Sequence, residues 1–233
     1  MAKRNSVYLL VVLFVIGLLV YEVFVAKGET YYYTALGIIL AGLIGFFLHF
    51  ESGKPHALLL TMIASLCALA IVSRIAFFIL PQIKPVAAVI ILAGVAFGAE
   101  VGFVIGAVSA FVSNFYFGQG SWTPFQMFAF GIIGALAGVL FYGKRQATWK
   151  IALYGMISVL FIYGGIVDLN TIFFASQEIN LPIIFSIYAS ALPFNLLFAV
   201  STSLFLWILK KPVLKRIGRI IGKYRLIDKA GEQ

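Results

Sequence analysis

Residues 113–128 read "SNFYFGQGSWTPFQMF" and gather Asn114, Gln119, Thr123 and Gln126 with Trp122 around two glycines and a proline. These are side chains that bind rather than react. Amides and hydroxyls donate and accept hydrogen bonds without changing charge, and an indole offers an apolar face with a single N–H donor. The residues that would support catalysis are lacking. His49 and His56 are the two histidines of the chain, Cys67 is its one cysteine, and no Cys/His/carboxylate grouping has metal-ligand spacing. The patterns G-x-S-x-G and H-E-x-x-H do not occur, and "ESGKPH" lacks the first glycine and the hydroxyl residue of a phosphate-binding loop. The expectation is therefore no catalytic residue, no metal, no cofactor and no ATP hydrolysis by this chain.

Ionisable groups within the apolar segments are few, and each asks for a partner. Arg74 lies about two turns before Pro81, where it can snorkel outward or pair with a buried acceptor such as Asp168. Glu100 follows the turn "FGAE" and suits the first turn of a helix, where the dipole favours a carboxylate. Asn195 follows Pro193, which frees a backbone carbonyl, and is expected to face protein. Mid-span acidic residues of the kind that serve proton-coupled carriers are nearly missing.

The elements that position these groups are membrane helices. The chain of 233 residues is 63% hydrophobic and 11% charged, with a mean hydropathy of +1.07, and its apolar runs approach the roughly 20 residues that span a bilayer. Spans are expected near 7–26, 31–50, 57–80, 85–97, 99–117, 124–142, 150–170 and 183–209. The first is kept as a helix, since it is too long for a signal h-region and has no small-residue cleavage site before Lys27. The run 85–117 reads as one long helix or as two joined at "FGAE", and charge decides between them. With two, Lys3, Arg4, Lys54, Lys144, Arg145, Lys150 and the eight basic residues from Lys210 to Lys229 share one side, leaving Lys27 and Lys84 opposite. With one, the basic tail would face outward against the positive-inside rule. The fold class is thus all-α and polytopic, with about eight transmembrane helices and both termini cytoplasmic. The net charge of +9 is explained by topology and anionic membrane lipid, with no need of nucleic acid.

This topology puts "LPQIKP" (80–85), "FGQGSWTP" (117–124) and "DLNTIFFASQEINLP" (168–182) on the outer face. Tyr116, Phe117 and Trp122 also fit an interfacial aromatic belt, but a belt needs no amides beside it. Gly94, Gly98, Gly102, Gly106 and Ala110 recur every fourth residue, and Gly131, Ala135 and Gly138 continue the pattern, which predicts close helix packing and little room for a central pore. Ala64 and Ala68 form another small face, for internal packing or for docking of a membrane partner. In the tail, Leu214, Ile217, Ile220, Ile221 and Tyr224 share one face opposite Lys215, Arg216, Arg219 and Lys223, which predicts an interfacial helix.

Ser73 to Phe141, above all "KPV" and "SAFVSNFYFGQGSWTPFQMF", resembles the substrate-binding S components of energy-coupling-factor (ECF) vitamin transporters, and most closely their cobalamin-specific group. The resemblance implies a six-helix core at 57–209, with 1–56 as a two-helix N-terminal extension that departs from the minimal pattern and 210–233 as a basic cytoplasmic tail. Ala99 is a second departure, standing where the pattern leads one to expect proline. It also implies a bacterial plasma-membrane protein that captures a vitamin, cobalamin first among them, and works with a membrane coupling protein and two cytoplasmic ATPases. The vitamin pocket would draw on the outer loops and helix ends: Arg74, Lys84, Asn114, Tyr116, Phe117, Gln119, Trp122, Thr123, Gln126 and Asp168. Ala64 and Ala68 would dock the coupling protein. The reading that competes with it is a permease or membrane scaffold working alone.

Overall fold

The computed structural model describes residues 13–18, 20–21, 30–52, 57–175 and 180–224. Its described residues fold into helices: α1 (Tyr31–Ser52), α2 (Ala57–Ala76), α3 (Val86–Phe97), α4 (Ala99–Phe117), α5 (Trp122–Phe141), α6 (Thr148–Ile157), α7 (Gly164–Ala175) and α8 (Leu181–Tyr224). A π-helical stretch, Ser158–Tyr163, joins α6 to α7 so that the pair runs as one span. Most of the expected first span, 7–26, lies outside the described residues. The others are present as helices, and five of them are long and apolar enough to cross a membrane.

The run 85–117 is broken at Gly98, inside "FGAE". Gly98 has φ 92, a conformation open to glycine, and Glu100 falls in the first turn of α4 as its charge predicts. The α3–α4 pair packs with α5 backbone to backbone. A methyl group at Gly94 would lie 2.1 Å from the Gly134 carbonyl oxygen, one at Gly106 2.3 Å from that of Phe130, and one at Gly134 2.4 Å from that of Gly102. The fourfold glycine spacing is thus a surface on which helix axes converge until no side chain fits between them.

Two expectations about helix limits change. α2 ends at Ala76, four residues before the expected boundary, and its successors form turns. α8 does not stop at 209 but continues through Pro193 and Pro212 to Tyr224. Pro212 removes one backbone donor, yet the apolar face beyond it has protein to rest on: Ile217 is buried in the main core cluster, Val213 and Ile221 pack against it, and Leu214 joins a second cluster. Of the tail face expected to lie in the membrane interface, Leu214, Ile217 and Ile221 pack against the bundle and Ile220 is exposed, while the Tyr224 side chain lies outside the described residues.

Gly134→Ala is expected to destabilise the purified protein by about 2 kcal/mol, because backbone on both sides must move apart. Gly165→Ala, where nothing lies within 4 Å, should leave the unfolding midpoint in detergent unchanged.

Candidate functional site

At the end of the bundle marked by Trp122, α2, α4 and α5 bring polar side chains into one network. Arg74, 8% exposed, turns inward and donates through Nη1 to Ser113 Oγ and, at 2.9 Å, to Asn114 Oδ1. Asn114 is fully buried and donates through Nδ2 to Gln126 Oε1 at 3.0 Å and Thr123 Oγ1 at 3.3 Å. Thr123 donates to Gln119 Oε1 at 2.8 Å, and Gln119 Nε2 donates to the Phe111 carbonyl at 3.0 Å. Both amide ends of Asn114 are therefore in use, and it joins three helices through a single side chain. Arg74 neither snorkels nor pairs with Asp168; neutral oxygens hold it.

The connector 77–85 is exposed over Phe78 to Pro81, but its end, Lys84 and Pro85, lies deeper than a surface loop. The Lys84 backbone N–H donates to Ser201 Oγ at 3.2 Å, while Lys210, nine residues along α8, bonds the Gln146 carbonyl at the opposite end of the bundle. Nine helical residues rise about 14 Å, so Lys84 and Pro85 start α3 near mid-height. This explains how a helix of 12 residues fills its place: the connector descends to meet it. Gln82, at φ 57, turns the chain in this descent. The Lys84 ammonium lies 5.2 Å from the centre of the Phe117 ring, and the Arg74 guanidinium lies 4.5 Å from the same ring.

A family model described as "ECF-type riboflavin transporter, S component" matches residues 54–214, more than half of the chain. The chain belongs to this family. No curated protein and no solved structure matches it. The matched S-component family is not the cobalamin-specific group that Ser73–Phe141 resembles, and cobalamin loses the first place that resemblance gave it.

Around the S component's polar network lie aromatic rings. Tyr116 and Trp122 are exposed, while Phe78 reaches both Tyr116 and Phe117 at 6.0 Å between ring centres. Trp122 folds over Gly120, where a methyl group would meet its ring at 2.4 Å. Asp168 stands apart on α7, accepting from Asn195 Nδ2 at 2.7 Å. Asn195 faces protein as expected, and the absence of a side chain at Gly164 gives it room. Beside this pair, Leu160, Phe161, Gly164, Gly165, Tyr188, Leu192 and Asn195 line a cavity of about 210 Å³. Tyr163 packs on Phe130 and Phe198. Ser113, Phe78 and Ser201 went unnoticed in the sequence reading. Ser113 had a signal, as the first residue of the polar stretch itself; Ser201, in an apolar helix, had none.

The burial of Asn114 gives it a structural load that the sequence pattern did not reveal. Asn114→Ala should cost about 2–3 kcal/mol, since Arg74 and Gln126 lose buried partners. Gln119→Ala, in an exposed position, should cost under about 1 kcal/mol. Unfolding of both variants in the same detergent checks the contrast.

Proposed function

We propose that the chain is the vitamin-capturing subunit of an ECF-type importer in a bacterial plasma membrane, with the Trp122 end outside and both termini in the cytoplasm. The observation that carries this reading is the convergence of Arg74, Asn114, Thr123, Gln126 and Gln119 beneath an aromatic rim at one end of a bundle closed by backbone-to-backbone packing. Such a body has a binding mouth, and its described residues leave no gap between α3, α4 and α5, so transport would draw on other subunits. A coupling membrane protein and two ATPases would supply the movement and the energy. Lys84, Phe117, Tyr116 and Trp122 would add contacts from above, and Asp168 from the α7 side.

The cargo this reading favours is a flavin. The name of the matched family carries riboflavin, and this is what favours a flavin over a corrin. Cobalamin remains the second reading on the strength of the 73–141 resemblance and of side-chain amides suited to its peripheral amides.

Docking of the coupling protein is proposed at the face of α2 where Ala64 and Ala68 are exposed, with Thr61 and Ser65 beside them. Ala64→Trp or Ala68→Trp should abolish co-purification with the coupling protein and leave vitamin affinity within twofold of wild type, because a bulky ring blocks only a close helix contact. Trp122→Ala should weaken vitamin binding about tenfold, or ~1.4 kcal/mol, by removal of an apolar face. Loss of binding in the α2 variants would instead make that face internal to the site.

A further inference from the structure

Two cations near one ring have no counter-ion among the described residues. Among the described residues Arg74 and Lys84 have no carboxylate partner: Arg74 is held by Ser113 and Asn114, and Asp168 is engaged by Asn195. Phe117 offers both of them its ring, which attracts a cation but cannot neutralise it. Nearby, the N-terminus of α3 begins at Val86 after Pro85 with no side-chain cap, adding the positive end of a helix dipole to the same region. Charges withdrawn from water are costly unless paired, and within membrane proteins they mark the path or site of a charged species. A structural role alone would be served by one buried arginine with neutral acceptors. It gives no reason for a lysine brought to mid-height beside it.

We propose that the captured ligand carries an anionic group, a phosphate or a carboxylate, which binds between Lys84 and Arg74 above Phe117. This rests on the vitamin-capture reading and adds the charge class of the cargo. Lys84 is the selective element, since among the described residues its ammonium has no hydrogen-bond acceptor and can meet one on the ligand. Arg74 is oriented by Ser113 and Asn114 and contributes field from a fixed position. Among flavins the choice falls on riboflavin 5′-phosphate over riboflavin.

The test uses the full chain in phosphatidylcholine nanodiscs, where lipid brings no net negative headgroup, with a panel of riboflavin, riboflavin 5′-phosphate, cyanocobalamin, biotin and pantothenate. The expected result is that the member binding most tightly is an anion, and that riboflavin 5′-phosphate binds at least about tenfold more tightly than riboflavin if a flavin is the cargo. Lys84→Met should remove that preference and Lys84→Arg should keep it. Tightest binding by a neutral vitamin, or an equal loss for charged and neutral ligands in Lys84→Met, overturns the inference while vitamin capture stands. A panel without any binder overturns both. If phosphatidylglycerol nanodiscs raise the unfolding midpoint of wild type and not of Lys84→Met, the anion is lipid, and the inference about the cargo fails.

Discussion

The close approach of α3, α4 and α5 through their glycines is the constraint from which the rest of the arrangement follows. Helices in lipid gain nothing from hiding apolar side chains from their neighbours, so they associate by packing. Here Gly94, Gly102, Gly106 and Gly134 bring carbonyl oxygens to within 2.5 Å of where a methyl group would stand. Between α3, α4 and α5 the described residues consequently leave no volume for a ligand. The largest hydrogen-bonded group of polar side chains collects where the helices diverge, at the Trp122 end. The tight body thereby determines where binding chemistry can be placed.

At that end, cohesion and the proposed recognition share the same atoms. Asn114 uses both of its amide hydrogens and its carbonyl oxygen on Thr123, Gln126 and Arg74, and so fixes α2, α4 and α5 relative to one another. Arg74 in turn is presented at a fixed orientation, its charge only partly dissipated by neutral oxygens. The short α3 completes the arrangement. Because it starts near mid-height, the connector before it must enter the bundle, and Lys84 is carried below the level a surface loop would give it. A site of this kind is preorganised, so a ligand that enters meets side chains whose ordering has already been achieved in folding.

Much of the helical architecture was legible in the sequence, since membrane spans are written in continuous apolar runs and the turn at Gly98 in a glycine beside Glu100. The fourfold glycine repeat foretold the packing. Depth was not legible: "LPQIKP" looks like any polar connection, and only the bond from Lys84 to Ser201 reveals its descent. Nor did local pattern show that α8 continues past Pro212, because the burial of Ile217 that offsets the proline is a tertiary contact. Arg74 was recognised as needing a partner, but Asp168 was the obvious choice by charge and the wrong one by geometry. Ligand identity is the least legible of all. Resemblance over 73–141 pointed to the cobalamin group while the match over 54–214 is to the riboflavin family, since short polar motifs describe the mouth of a pocket more than its shape.

The most direct test of the central claim, that the site lies at the Trp122 end between the descending connector and the α4–α5 turn, is hydrogen–deuterium exchange of the purified chain with and without its vitamin. The account predicts ligand-dependent protection of 77–85 and 117–123, with no change at 142–147 at the opposite end. Protection confined to 142–147, or none at the connector in the presence of saturating ligand, would contradict it.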